Sequence, residues 1–435
     1  MVKLFLRRCV PEQMIQMYHY ALARLASMFY WFPSKKLIVI GVTGTNGKSS
    51  TTQFIGRILE FGGEKVGWTT TVGFKIANRE WTNDQKMTML GRFQTQKLLR
   101  QMVQDGCRYA IIETSSQGIV QHRNVGIHYT MGVFTNLTPE HLEAHGGFEN
   151  YKNAKKRLFV QVARNHGIAV VNLMDAYAKE FLAFAFKTKW GFTSLQEESS
   201  EVDHVMKADR VEYGLQGTTF EIESVAFRFQ PIGRFNFENV LAAITTCRAL
   251  GLSLEKIRDA VATLASAPGR LERIDEGQPF TVIVDYAPEP VALAATYEAL
   301  ALIPHKRLIH ILGSTGGGRD VSRRTILGEM AAKQAQIVIV TNEDPYEDDP
   351  MEIIQDVASG SRRAGKQDEV NLFCRLDRQA AIELAVKMAE TGDLILITGK
   401  GNEPVMAVAH GKKIPWDDRT VVREALRQRG VRERD

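Results

Sequence analysis

Cysteine is scarce in this chain of 435 residues: Cys9, Cys107, Cys247 and Cys374 are the only four, and no two form a C-x-x-C pair. That scatter excludes a zinc ribbon and a disulfide framework, and the four read as reduced thiols of a cytoplasmic protein. Long apolar runs are missing too. "MVKLFLRRCV" has basic residues and a short apolar stretch, but no extended apolar segment or small-residue cleavage site follows, so it is not read as a signal peptide. "MIQMYHYALARLASMFYWF" has about the length of a membrane span, yet Arg24 interrupts it and polar residues recur at helical spacing. The reading is an amphipathic helix covering the next domain, with peripheral membrane contact as the other option. Strong charge of either sign is absent as well. A net charge of +5 gives no reason to expect nucleic acid, while a mildly basic balance suits phosphorylated, acidic substrates. There is no internal repeat, and nothing suggests low complexity or disorder.

What is present is an ordinary globular composition, 44% hydrophobic and 24% charged, long enough for two or three domains. "KKLIVIGVTG" reads as a strand, and "SSTTQFIGRILEFGG" as a helix closed by Gly62 and Gly63. "YAIIETSS", "MGVFTNLT" and "GIAVVN" are further buried strands between helical stretches, which implies a largely parallel sheet. Between about Lys187 and Phe235, "HVMKADRVEYG" and "TTFEIESVAFRFQ" look like antiparallel strands appended to the same domain. A helical pair broken at Gly251 follows, and "APGR" is a plausible linker. From Phe280 a second α/β series begins with "FTVIVDYA", "RLIHILGST", "QIVIVTNED" and "DLILITGKG"; Asp377 is an expected N-cap and Gly392 an expected stop. The expected division is residues 1–36 as a helical segment, 37–267 as a central α/β domain, and 268–435 as a second α/β domain.

The chemistry is concentrated in "GVTGTNGKSSTT", Gly41 to Thr52. A phosphate loop needs consecutive backbone amides before a helix N-terminus, a lysine for the β/γ oxygens and a hydroxyl for magnesium. Gly47, Lys48 and Ser49 supply that ending. The common G-x-x-x-x-G-K-[ST] pattern requires glycine where Val42 stands, so this is a variant loop, G-T-N-G-K-S; the alternative is an ordinary glycine turn.

"GTNGKSSTT" resembles the ATP loop of the Mur ligases and of folylpolyglutamate synthetases, both of which form amide bonds through an acyl phosphate. "ETSSQGIVQHR", "FTNLTPEHLEAHGGFENYKNAKKRLF", "GRFNFENVLAA", "PGRLE", "VDYAPEP" and "ITGKGNE" follow in an order most similar to the UDP-N-acetylmuramoyl-tripeptide synthetases. The resemblance implies a P-loop ATPase domain, with a mostly parallel sheet and a small antiparallel one, followed by a Rossmann-like C-terminal domain. It implies ATP and Mg2+ as cofactors, an amino acid and a muramyl peptide as substrates, and a monomer. Gly44, Thr45, Asn46, Gly47, Lys48, Ser49 and Ser50 would bind the nucleotide, with Asn236 and Asn239 on the adenine side and Arg270 and Asp285 completing its contacts. Ser49 and Glu113 would hold one magnesium, and His141 and Lys155 a second metal region; in the family the lysine at the Lys155 position is carbamylated. A bland reading makes Lys155 a solvated helix lysine. Thr69, Thr70, Ser115, Gln121 and Arg123 would hold the acceptor, where an arginine fork suits a carboxylate or phosphate. Gly399 and Glu403 match positions that bind the amino acid.

The chain also departs from the family. Pro288, Gln117 and Asn402 stand where the family has histidines, and "EDPY", Glu343 to Tyr346, replaces the "DNPR" of diaminopimelate-adding relatives. The acids at Glu343, Asp344, Glu347, Asp348 and Asp349 either favour a basic amino acid or form a solvated loop. Only 40 residues precede the loop, too few for the UDP-binding domain that Mur ligases carry there, so the expectation is that either another part recognises the nucleotide sugar of a UDP-linked acceptor or the acceptor is lipid-linked. The expected function is an ATP-dependent ligase adding an amino acid to a muramyl peptide. Alternatives are a folate-polyglutamylating ligase, a Mur-like amidating subunit with a glutaminase partner, and a non-catalytic nucleotide-binding scaffold.

Overall fold

The structure is a computed structural model that describes residues 12–85, 87–139, 145–195, 200–214, 217–265, 268–318 and 321–432. The chain forms two compact units, one comprising Met1–Glu212, Thr218–Phe229 and Phe235–Leu264, the other Tyr213–Gly217, Gln230–Arg234 and Ala265–Asp435.

One large sheet organises the first unit. Strands β1 (Ile38–Thr43), β2 (Val66–Thr69), β3 (Gly73–Ile76), β4 (Arg79–Thr82), β5 (Tyr109–Glu113), β6 (Tyr129–Phe134), β7 (Ile168–Asn172), β8 (Thr188–Thr193) and β9 (His204–Lys207) run in the order β4-β3-β2-β5-β1-β6-β7-β8-β9. From β2 to β9 every neighbouring pair is parallel; β3 and β4 add an antiparallel ribbon at one edge. Parallel strands are covered on both faces, which is why their sequences read as continuous apolar runs. Alternate residues feed opposite cores: Ile40 and Val42 join Ile111 and Val133 on one side, while Val39 joins Ile112 and Phe134 on the other.

From β1 the chain passes through the helix Lys48–Phe61 to β2 on one side, whereas β6 leads to β7 on the other. The crevice beyond the carboxyl ends of β1 and β6 is therefore a topological switch point, where open α/β sheets bind ligands. Three further strands, β10 (Asp209–Gly214), β11 (Gly217–Ile222) and β12 (Val225–Phe229), form a small separate sheet, with β11 and β12 antiparallel. The expectation for "HVMKADRVEYG" is corrected here. His204–Lys207 is not an antiparallel appendage but the parallel edge strand of the main sheet, paired with β8, and only Asp209–Gly214 belongs to the small sheet. An edge strand has one exposed flank, so its alternating pattern looks the same in either orientation.

The second unit carries β13 (Glu272–Ile274), β14 (Thr281–Val284), β15 (Leu308–Leu312), β16 (Ile337–Thr341), β17 (Leu372–Arg375) and β18 (Leu394–Ile397) in the order β13-β14-β18-β15-β16-β17, parallel except for β13. A hairpin of β19 (Val405–Val408) and β20 (Lys412–Pro415) follows. Asp377 caps the helix Arg378–Met388 as expected, accepting from the amides of Gln379 and Ala380. The helix ends before Gly392, whose φ of 89° serves the turn into β18 instead. A fully buried ion pair locks this unit: Arg378 Nη2 lies 2.8 Å from Asp418 Oδ2, and its fork also donates to the carbonyl oxygens of Asn342 and Thr398.

The expected N-terminal helix is present as Glu12–Phe29 and packs on the helix Arg92–Gln104 of the same unit. Among the described residues no helix is long and apolar enough to cross a membrane.

Candidate functional site

At the end of β1 the chain turns through Gly44–Gly47 into the helix beginning at Lys48. Gly47 has φ 79°, a left-handed conformation, and a Cβ there would overlap the Oδ1 of Asn239. Glycine is required on both counts. The loop is held from the β6 side: the Asn46 amide donates to Asn136 Oδ1 at 2.9 Å, Thr135 Oγ1 donates to the Asn46 carbonyl at 2.7 Å, and the Thr45 amide donates to the Asn136 carbonyl at 2.9 Å. Lys48 Nζ donates to the carbonyls of Gly44 and Thr45 at 3.1 and 2.6 Å. Ser50 is buried one residue beyond Ser49 in the first turn.

Ser49 Oγ donates to Glu113 Oε2 at 2.7 Å in buried surroundings. Parallel pairing of β1 with β5, Val42 opposite Glu113, brings them together. Glu113 also accepts from the amide and the hydroxyl of Thr71, at 2.8 and 3.0 Å. A buried carboxylate beside a hydroxyl at a helix N-terminus is a hard-oxygen donor set of the kind magnesium takes together with phosphate oxygens.

Lys155, on the helix Phe148–Arg164, is buried, which rules out the solvated-lysine reading. Its Nζ donates to the Gly44 carbonyl at 2.5 Å and lies 4.4 Å from the centre of the Tyr151 ring, whose hydroxyl reaches Thr45 Oγ1 at 3.1 Å. His141 lies outside the described residues. Asn239, on the helix Arg234–Ala249, accepts from Thr51 Oγ1 at 3.4 Å, and Asn236 is buried one turn earlier.

The expected acceptor residues divide. Thr69 ends β2, Thr70 follows it and both are buried, but the Thr70 hydroxyl is engaged within its own turn with the Gly73 carbonyl and the amides of Val72 and Gly73. Ser115 caps the helix Ser116–Val120, accepting from the Gly118 amide. Gln121 and Arg123 lie just beyond that helix. Arg123 donates to the Met89 carbonyl, and Arg92 to the Gln121 carbonyl. Burial lowers the pKa of both guanidinium groups, Arg92 being lowered further by Arg123. Gln117 is exposed on the short helix.

In the second unit Asp285, Gly399 and Glu343 follow the carboxyl ends of the parallel strands β14, β18 and β16. Asp285 is buried and accepts from Thr296 Oγ1 at 2.6 Å and from the amides of Leu271 and Tyr286; burial raises its pKa against the pull of Arg270. The Arg270 guanidinium lies 4.5 Å from the centre of the Tyr286 ring. Glu403 accepts from Lys400 Nζ at 2.6 Å, and the same amine reaches Asp344 at 3.0 Å. Burial works against the Lys400 charge, but Glu403 and Asp344 hold its pKa above the usual lysine range.

The acidic run is therefore neither a simple solvated loop nor a uniform field. Asp344 pairs with Lys400, Asp348 with Arg324, Asp349 caps the helix Pro350–Arg363, and Glu347 accepts from the His410 amide. Glu343 is buried with no hydrogen bond to its carboxylate among the described residues, and a Cβ on Gly399 would overlap it. Burial pushes its pKa up to about 7 despite Arg323 and Arg378.

Sequence reasoning did not single out Thr71, Tyr151, Asn136 or Arg92. Thr71 directly follows Thr70 in the sequence; Asn136 and Tyr151 reach the phosphate loop from distant segments, and Arg92 reaches the Gln121 carbonyl.

Comparison with known proteins places these features in context. Residues 42–247 match the Mur ligase middle domain and residues 269–401 the Mur ligase glutamate ligase domain. A UDP-N-acetylmuramyl-tripeptide synthetase of Roseiflexus sp. (strain RS-1) is 36% identical over 97% of this chain and 84% of its own length. A UDP-N-acetylmuramoyl-L-alanyl-D-glutamate--2,6-diaminopimelate ligase of Geobacillus kaustophilus (strain HTA426) is 35% identical over 97% and 85%. Among solved structures, a UDP-N-acetylmuramoyl-L-alanyl-D-glutamate--2,6-diaminopimelate ligase is similar with TM-score 0.60 and 29% identity, covering 91% of this chain and 79% of the other. The Mycobacterium tuberculosis folylpolyglutamate synthase complexed with ADP shares the fold, with TM-score 0.65 at 17% identity over 96% and 95%.

Proposed function

The chain belongs to the Mur ligase family, ATP-dependent amino-acid ligases of peptidoglycan precursor synthesis, and from that membership we propose which of its own residues carry the reaction. The first unit is the ATP-handling domain and the second the amino-acid domain. The observation that carries the assignment is the buried contact of Ser49 with Glu113, braced by Thr71, at the first turn of the helix that follows the loop.

The amides of Gly44–Gly47 and the helix N-terminus receive the phosphates, and Lys48 turns from the loop carbonyls to the β/γ oxygens. Ser49 and Glu113 would hold magnesium, which when bound neutralises charge building on the transferred phosphoryl group. Lys155, buried against Gly44, is the residue we assign to the role of the family's carbamylated lysine. An oxygen of the acceptor carboxylate attacks the γ-phosphorus; a P–O bond forms, ADP leaves, and an acyl phosphate results. The neutral amine of the amino acid then attacks the acyl carbon, and the tetrahedral adduct expels inorganic phosphate as the amine loses its proton.

The acceptor is a muramyl peptide whose anionic groups meet Gln121 and Arg123. In the second unit, Gly399 and Glu403 support amino-acid binding, and Glu343, whose carboxylate accepts no hydrogen bond among the described residues, is suited to an ammonium group. Carboxylate oxygen labelled in the acceptor should appear in the released phosphate. Unlabelled phosphate from a turning-over enzyme rejects the acyl phosphate route.

A further inference from the structure

The helix Glu12–Phe29 faces the protein with its small residues. Ala23, Ala26 and Ser27 are buried, and Ser27 Oγ donates to the Gly126 carbonyl at 3.1 Å. Gly126 has φ 82°, and a Cβ on it would lie 2.8 Å from Ser27 Cβ, so the contact depends on close approach. The large apolar side chains point away. Met14, Met17, Tyr18, Leu25, Met28 and Phe29 are each more than half exposed, and Trp31 just beyond is 76% exposed. At 100° per residue, positions 14, 17, 18, 25 and 28 share one face. A helix that only covers a domain turns its large residues inward; this one half-buries Ile15 and Leu22 beside its small residues and leaves most of its large apolar side chains outside.

The helix and the turn after it also carry exposed cations. Arg24 is exposed in the helix, and Lys35 and Lys36 are exposed just after it. A second copy of the chain seated symmetrically on this face would oppose those cations to their own kind. An apolar stripe with tryptophan and tyrosine, edged by lysine and arginine, instead matches the boundary between headgroups and acyl chains of an anionic bilayer.

The helix is fastened to the proposed acceptor residues. His122, between Gln121 and Arg123, donates through Nε2 to Gln16 Oε1 at 2.6 Å, and its ring meets Tyr20 edge-on at 6.1 Å. We propose that the exposed face of Glu12–Phe29 docks on an anionic lipid bilayer and holds the Gln121–Arg123 loop at that surface, so that the acceptor is taken from the membrane. The link to the acceptor rests on the ligase reading, but docking is measured without ATP or acceptor, so the two can fail separately.

The test is flotation of the full chain with phosphatidylcholine vesicles, with and without phosphatidylglycerol. Binding is expected on the anionic vesicles and should weaken with salt. It should fall by about tenfold or more in Arg24→Glu/Lys35→Glu/Lys36→Glu, and likewise in Met17→Glu/Leu25→Glu/Trp31→Glu. Independently of those variants, tryptophan emission of the unaltered protein should shift to the blue on anionic vesicles, and Trp31→Phe should abolish the shift. Absence of binding to anionic vesicles, binding indifferent to both triple variants, or a self-associated dimer that the apolar variant dissolves would overturn the proposal.

Discussion

Ser49 Oγ and Glu113 Oε2 sit 2.7 Å apart at the carboxyl ends of neighbouring parallel strands, one at the start of a helix and the other at the end of β5. The sheet register, Val42 opposite Glu113, brings the two segments together. Removing the carboxylate charge while keeping its shape should spare the fold and damage the chemistry. Glu113→Gln is expected to lower ATP turnover by about 100-fold or more, with a raised magnesium requirement and an unchanged melting temperature. Turnover at different magnesium concentrations, alongside a thermal melt, checks this.

The loop glycine makes a second, structural prediction. Gly47→Ala places a side chain at φ 79° and against Asn239, costing roughly 1–2 kcal/mol for the backbone alone. Nucleotide binding should be lost as the loop shifts. Adding Asn239→Ala relieves the overlap but not the backbone cost, so the double variant should recover only part of the stability in denaturant unfolding.

Glu343 gives the second unit a pH dependence of definite sign. Burial pushes its pKa up to about 7 in the folded chain from the usual 4.5 of a glutamate, so the folded state binds the proton more tightly. Its contribution is fully present below pH 4.5 and is lost as pH rises through 7, by at most about 3 kcal/mol. Glu343→Gln should therefore be more stable than the parent at pH 8, with the difference shrinking towards pH 5. Urea unfolding at the two pH values reads it.

The Arg378–Asp418 pair lies fully buried among carbonyl acceptors. Arg378→Met strands a buried carboxylate and should cost about 3–5 kcal/mol, whereas Arg378→Met combined with Asp418→Leu should cost less than the single change. Equal losses would mean that the strain, not the charge, dominates.

Much of this molecule was legible before folding. The run "LIVIG" could only be a strand covered on both faces, and G-T-N-G-K-S announced a phosphate loop through its lysine and serines. The strand His204–Lys207 was misjudged because alternation records which face is wet, not which way the neighbour runs. Strand β17, "LFCR", has only two buried residues and ends in arginine, so its apolar run is too short to stand out. Partners brought in from distant segments, such as Asn136 and Tyr151 around the loop, leave no local trace. Lys155 could be named but not its burial, because neighbouring lysines in "YKNAKKRLF" carry the same sequence signal while only the helix face decides which of them enters the core. The acidic run showed the opposite: five similar letters separated into caps, ion pairs and one unbonded carboxylate only when their neighbours were known.

The central claim is that this chain couples ATP cleavage to joining an amino acid to a muramyl peptide. The most direct measurement is phosphate release from ATP with a muramyl-peptide acceptor and a panel of amino acids, with the product weighed by mass spectrometry. Release is expected only when acceptor and one amino acid are both present, with a product heavier than the acceptor by that amino acid less water, and with loss of both signals in Lys48→Ala. ATP binding without acceptor-dependent release, or release with no amide product, would contradict it.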